Sequence, residues 1–522
     1  MGRRNLFRNV RRRCLLAISV ALPLLFSAAG HAQTGHTVKR PNILFAISDD
    51  QSYPYASAYG SLGVRTPAFD HVAREGVLFT SAFVASPGCS PSRAAFLTGR
   101  YPWQIEAAGT HASSFPAKYV TFPDLLERAG YFIGHTGKGW GPGNWQVSGR
   151  ARKPAGPAFN AIKAERSFSG SRAEDYAGNF ADFLRRRPAE KPFYFWYGAH
   201  EPHRPFEKGA GLKAGKKLAD ALVPAFLPDT PEVRSDLLDY AVEIERFDEH
   251  LGRMLKTLHE AGELDNTIVI VTSDNGMAFP RAKANCYEYG LHVPLAIRWG
   301  NQIVGGGRSI DDVVSLVDLT PTILEAAGVR HPGQYPMAGR SLLSILRSQT
   351  ERSGRRTRTA VFAARERHSS ARYNNLGYPQ RAIRTSEYLF IRNFAPERWP
   401  AGDPQKYEDD GTLGQPHGAY HDIDPAPTLD FLIAHREKSP ISRYFHLVVD
   451  KRSSEELFDI RSDPGCLRNL ANDPAYAQVK KRLRAQLNNY LRKTGDPRSS
   501  GGGENFETHK RYSPVRRFPK PQ

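Results

Sequence analysis

The chain has 522 residues, of which 24% are charged, 40% hydrophobic and 11% aromatic. That profile excludes a low-complexity chain and is long enough for one large core plus a second, smaller domain. The formal charge of +19 suits a polyanionic partner or substrate, but no compact basic-aromatic motif accompanies it, so nucleic acid is not the expected partner.

Residues 1–32 read as a targeting segment. Arg3, Arg4, Arg8 and Arg11 to Arg13 form a basic start, followed by the apolar run Cys14 to Ala29 and the small residues Gly30-His31-Ala32 at a cleavage point. The run contains Pro23 and is short for a membrane span, so export with removal is expected, to the periplasm or outside, with no stable membrane anchor. The six arginines of this segment account for six of the +19, leaving +13 on the mature chain. With Cys14 removed, Cys89, Cys286 and Cys466 remain. That set is too sparse and odd for a disulfide framework.

Asn42 to Ile47 is a continuous apolar run, as in a strand buried on both faces, and it ends in Ser48-Asp49-Asp50. Adjacent carboxylates at a strand end are costly unless solvated or neutralised by a cation. The next stretch, Cys89 to Arg100, holds a thiol, two arginines, Pro91 near a helix start and Gly99 at its stop. Cys89 would stand at a helix N-terminus, where free N–H groups favour an anion, and Arg93 one turn on adds a fixed guanidinium. The local chemistry is that of an anion site with a nucleophile at its mouth. The bland alternative is a buried core thiol.

Further strands repeat the pattern of ending in ionisable groups. Tyr131 to Gly134 leads into His135-Thr136-Gly137-Lys138, and Phe193 to Tyr197 leads into His200-Glu201-Pro202-His203. Helices are expected at Glu174 to Arg187, from Pro231 with Thr230 as its cap, and from Asp318-Leu319-Thr320-Pro321 to Gly328. Thr267 to Thr272 is a β-branched strand that ends in Ser273-Asp274-Asn275-Gly276. Two buried strands that each deliver oxygen ligands make a site for a hard cation such as calcium or magnesium. Strands alternating with helices predict an α/β domain with a mostly parallel sheet, with its site at the strands' C-terminal edge. After about Arg355 a smaller α+β subdomain is expected, with strands at Ala382 to Asn393, Tyr444 to Asp450 and Leu457 to Ile460 and one late helix, Tyr476 to Leu491. The expected divisions are 1–32, 33–355, 356–494 and a flexible basic tail, 495–522.

With these residues in place, the chain resembles the type I sulfatases of the alkaline phosphatase superfamily. Their signature, C-[S/A]-P-S-R-x-x-x-L-T-G-R, fits Cys89 to Arg100 at every specified position. The resemblance runs from about Pro41 to about Arg492. It implies an alkaline phosphatase-like three-layer sandwich and hydrolysis of sulfate esters or sulfamates. It also implies conversion of Cys89 to Cα-formylglycine by a maturation enzyme, and one calcium ion per chain held by Asp49, Asp50, modified Cys89, Asp274 and Asn275. Arg93, Lys138, His200 and Lys283 match the catalytic and sulfate-binding groups, with His111, His203 and His292 expected on the substrate side. Within the family, Val223 to Pro231 and Asp274 to Pro280 are most like the heparan N-sulfatases, whereas Asn285 to Pro294 is like bacterial carbohydrate sulfatases. A sulfated carbohydrate is therefore the expected substrate, with N- or O-sulfate open. Phosphoester or phosphonate hydrolysis and glycan binding without turnover are the alternatives. One position departs from the pattern: Trp140 stands where many sulfatases carry the histidine that deprotonates the hydrate. His135 and His111 are the candidates for that role.

Overall fold

The computed structural model describes residues 39–165, 172–303, 305–348 and 358–521. The expected targeting segment lies outside the described residues. Residues Arg40–Gln522 form one compact unit. Among the described residues its strands are β1 Asn42–Ser48, β2 Val77–Phe79, β3 Ala82–Phe83, β4 Phe132–Gly137, β5 Phe193–Gly198, β6 Thr267–Ser273, β7 Leu295–Arg298, β8 Arg308–Ile310, β9 Val314–Ser315, β10 Ala360–Arg365, β11 Gln380–Thr385, β12 Tyr388–Asn393 and β13 Glu455–Asp459.

The main sheet has the order β4-β5-β1-β6-β7-β2-β8. Strands β4, β5, β1 and β6 pair parallel, and β7 alone runs against its two neighbours. Alternation along β1 explains the layers. Ile43, Phe45 and Ile47 face a core shared with the helices Cys89–Thr98, Phe122–Arg128 and Leu319–Ala326. Leu44 and Ala46 face the opposite core, shared with the helices Pro67–Glu75, Tyr176–Arg186 and Pro231–Glu260. Helices on both faces of a mostly parallel sheet make the three-layer α/β sandwich. The 30-residue Pro231–Glu260 helix starts as its sequence indicates, with Pro231 in its first turn and the Thr230 side chain accepting from the Val233 N–H.

The second sheet, β10-β11-β12-β13, is antiparallel throughout. Phe362, Ile383 and Phe390 pack on Leu483, Leu487 and Leu491 of the helix Ala477–Lys493. Val361, Ala382 and Ile391, from the other face, join the first core of the main sheet. The two sheets are thus tied through shared apolar contacts.

Two expectations are corrected here. Tyr444 to Asp450 is not a strand but most of the helix Ile441–Val449, which packs Phe445, Val448 and Val449 on Leu429 and Leu432 of another helix, Pro427–Ala434. Its aromatic and β-branched content reads as strand, but the buried positions step by three and one, and tertiary packing decided the outcome. Nor is 495–521 a flexible tail. Phe506 and Phe518 are buried, the Tyr512 N–H donates to the Ala112 carbonyl at 2.7 Å, and Arg516 N–H to Ser370 Oγ at 2.8 Å. Asp496 is fully buried and accepts two bonds from Arg381, at 2.7 and 3.0 Å. Composition cannot show that these polar groups have buried partners.

Replacing Asp496 with alanine should therefore cost about 3 kcal/mol, at the low end for stripping a buried charge because Glu366 still pairs with Arg381. Urea denaturation measures it; an unchanged midpoint would show that the segment adds no stability.

Candidate active site

The pairing register of the main sheet assembles the site. Ser48 of β1 sits beside Ser273 of β6, so the residues that follow, Asp49-Asp50 and Asp274-Asn275, emerge side by side. Gly137 of β4 pairs with Gly198 of β5, which brings Lys138 and His200 to the same edge. Four adjacent parallel strands deliver all these groups from their C-terminal ends. Asp50 turns back at φ 76°, a conformation that few residues other than glycine adopt, and its N–H donates to Asp274 Oδ1 at 3.1 Å.

The helix Cys89–Thr98 enters from the side, capped by Gly88 and stopped by Gly99 at φ 65°. It begins two residues before Pro91, which sits in the first turn where its missing N–H costs nothing. Cys89 is therefore the first helical residue. A Cβ on Gly88 would stand 2.9 Å from His368 Nδ1, and one on Gly141 would meet Ser90 at 2.6 Å, so both positions need glycine for close chain approach. Trp140 is buried, donates from Nε1 to the Ser90 carbonyl at 3.0 Å and packs edge-on to Phe115. It braces the start of this helix.

Cys89 is 2% exposed, with Sγ 4.0 Å from Asp50 Oδ1. Burial, and then the charge of Asp49, push its thiol well above the ordinary cysteine value, so the thiolate is disfavoured. Arg93 bonds Asp274 Oδ2 at 2.6 Å and the Lys138 carbonyl at 2.7 Å. Its Nη2 lies 4.0 Å from Asp49 Oδ1 and has no hydrogen-bond partner. Lys138 pairs with Asp49 Oδ2. Lys283 pairs with Asp50 Oδ2 at 2.7 Å and Asp424 Oδ2 at 2.8 Å.

Burial works to raise the Asp49 carboxyl, but Lys138, Arg93 and further cations together hold it well below the carboxylate range. Burial pushes Asp274 up to about 7, because Arg93 only partly offsets it and Asp49 and Asp50 add like charge. Both lysines stay charged: burial lowers them, and their carboxylate partners more than reverse it. His200 is driven down to about 3 by burial and the nearby Lys138 and so is neutral.

The same carboxylates can hold a cation. Asp49 Oδ1 and Asn275 Oδ1 are buried with no hydrogen-bond partner. Carboxylate oxygens of Asp49 and Asp50 and the Cys89 sulfur lie within 4.8 Å of one another. Orphaned buried oxygens among clustered carboxylates fit a hard divalent ion.

The other expected residues divide. His203 Nε2 is 3.9 Å from Asp50 Oδ2, at the partly exposed rim. His111 lies tilted against His368, ring centroids 4.5 Å apart, and burial depresses it far below the usual histidine value. His292 is a correction: Nδ1 pairs with Glu288 at 3.2 Å, Nε2 with the Thr80 carbonyl at 3.0 Å, and the ring stacks on Tyr53 and Phe83. Both nitrogens are committed, which leaves none for a substrate. His135 is buried in β4 with Nδ1 on the Gly156 carbonyl at 2.9 Å. Sequence reasoning missed Asp424 and His368. The run Asp422-Ile423-Asp424-Pro425 carried a signal, a pair of acids before proline, but nothing local ties it to a lysine 141 residues earlier.

Known proteins are similar to this chain in sequence and in fold. The family model described as Sulfatase matches residues 41–329, and that described as N-sulphoglucosamine sulphohydrolase, C-terminal, matches 281–409. Human N-sulphoglucosamine sulphohydrolase is 28% identical over 497 residues, covering 87% of this chain and 91% of that protein. A structure solved with its substrate, D-glucosamine-2-N,6-O-disulfate, superposes with a TM-score of 0.61 at 21% identity, covering 88% of this chain and 99% of the other. The phosphonate monoester hydrolase of Agrobacterium radiobacter gives 0.59 at 19% identity, covering 88% and 97%. The Sulfatase match spans more than half of the chain and includes Cys89, Asp49-Asp50 and Asp274-Asn275: the chain belongs to the sulfatase family of hydrolases.

Proposed function

We propose that the protein removes sulfate from a sulfated amino sugar, as ester or sulfamate, using Cys89 as the precursor of formylglycine. The observation that carries this reading is the buried Cys89 thiol at a helix start, unfit as a thiolate, ringed by Arg93, Lys138 and Lys283. Formylglycine would supply an aldehyde hydrate as the oxygen nucleophile, and a calcium ion held by Asp49, Asp50, Asp274 and Asn275 would supply Lewis-acid charge stabilisation.

The protein's own residues do the rest. Lys138 and Lys283, both charged, flank the anion site with Arg93 as a third cation, so a transferring sulfate meets preorganised positive charge. His200, neutral, can donate a hydrogen bond to the leaving atom through its ring N–H. Near-complete burial of Cys89 and Lys283 keeps water out, while His203, with its side chain 33% exposed, stands at the rim where the sugar would rest. Because Cys89 is buried, the maturation enzyme must reach it before its helix packs.

The amino-sugar assignment is supported by the match to the N-sulphoglucosamine sulphohydrolase C-terminal model and by the neighbour solved with a glucosamine disulfate. A panel of N- and O-sulfated glucosamines, other sulfated sugars and phosphate or phosphonate monoesters tests it. Sulfate release is expected from glucosamine sulfates above all others. Turnover of phosphonates alone would assign the other chemistry of this superfamily, and glycan binding without release would make the protein a binder.

A further inference from the structure

Lys283 is held by two carboxylates of different standing. Asp50 Oδ2 lies 2.7 Å from its ammonium, but Asp50 also accepts from Asn275 Nδ2 at 2.7 Å, faces His203 and belongs to the candidate cation set. Asp424 Oδ2, at 2.8 Å, comes from outside the strand ends; it meets Asp50 and His203 in a second cluster, apart from Asp49 and Cys89. A lysine on a flexible four-carbon stem needs such an anchor to point at one place. We propose that Asp424 is the positioning residue of Lys283, so that a loop of the C-terminal part of the chain completes the sulfate site; this rests on the role given to Lys283 above.

The surrounding structure is built to hold this pair. Asp422, two residues before Asp424, pairs with Arg365 at 2.6 Å and Arg372 at 2.7 Å and accepts the Ser369 N–H at 2.9 Å. The Asp422 N–H donates to the Ala401 carbonyl and the Ile423 N–H to that of Tyr420. Arg365 also donates to Asn285 Oδ1 at 3.2 Å, two residues after Lys283. One buried arginine at the end of β10 therefore grips both the Asp424 loop and the Lys283 loop. The Lys283 loop is itself bent, with Arg281 at φ 70° and Ala284 at φ 62°, and the Ala284 N–H donates to the Pro87 carbonyl at 2.7 Å, two residues before Cys89. Non-glycine residues persist at such angles only where their surroundings over-determine them. Asp424 is thus fixed through Arg365 to the same frame that fixes Lys283 beside Cys89.

A double-mutant cycle tests this in the mature full-length enzyme. Asp424→Asn keeps the shape and removes the charge. It is expected to lower kcat/KM on the best sugar of the panel about ten- to a hundredfold, as for groups that orient a reacting residue from behind. It should also weaken inorganic sulfate binding, measured calorimetrically. In a Lys283→Ala background the same substitution should cost nothing further. Unchanged kcat/KM in Asp424→Asn, or its full loss persisting without Lys283, would overturn the proposal. Should the wild type release sulfate from no sugar, the function proposed above fails instead, and the cycle is read from inorganic sulfate affinity alone.

Discussion

Replacing Cys89 with alanine is expected to lower turnover by at least about 10⁴-fold, the scale seen when a covalent nucleophile is removed. The side chain is nearly inaccessible and its thiol is held protonated, so as a plain cysteine it has little to offer. Its position, 4.0 Å from Asp50 and at the start of a helix whose next turn carries Arg93 into the site, suits an oxygen nucleophile instead. The fold should survive, because alanine removes one small atom from a well-packed helix. Mass spectrometry of the peptide containing Cys89 gives the independent readout. Active protein should carry an aldehyde in place of the thiol, and fully active protein with only the thiol would end the formylglycine reading.

The second large effect is expected from removing divalent cations. Several kcal/mol of charge stabilisation would go with the ion, and turnover should drop about 10³-fold on exhaustive chelation. Stability gives a readout free of catalysis. Calcium at a hundred times its dissociation constant should add about 2.7 kcal/mol to unfolding. Asp274→Asn should abolish most of that increment, since it removes a charged donor from a cluster that already leaves Asp49 Oδ1 and Asn275 Oδ1 without partners. Full activity after chelation, or a calcium-independent melting curve, would show that the acid pairs serve only Arg93 and the two lysines.

Much of this site was legible from local pattern. Asp49-Asp50 and Asp274-Asn275 stand directly after apolar runs, and buried parallel strands have to end where their polar residues begin. The stretch Cys89 to Arg100 carried its own start, stop and charge. Lys138 and His200 followed strands in the same way, and the sheet order put those strands next to one another. The helix Pro231–Glu260 was readable for a similar reason: its cap, its proline and its apolar stripe lie within a few residues of each other.

What failed depended on packing and pairing that no local pattern shows. His292 lies in a motif-like run, yet Glu288, Thr80, Tyr53 and Phe83 use up its ring. The segment 441–449 has strand-like residues, but it packs as a helix on its chain neighbour Pro427–Ala434, and that packing overrode local propensity. The last residues look disordered by composition because Arg381, Glu366 and Ala112, which hold them, lie more than a hundred residues earlier.

The sequence by itself determined the sulfatase signature, the strand-end pairs Asp49-Asp50 and Asp274-Asn275, and the α/β alternation, since each of these is written in short local runs of residues. Only the tertiary structure decided that Asp424 reaches Lys283, that Trp140 braces the Cys89 helix and that the C-terminal segment is docked. Those outcomes rest on burial, hydrogen bonds and charge pairs between segments far apart in the sequence.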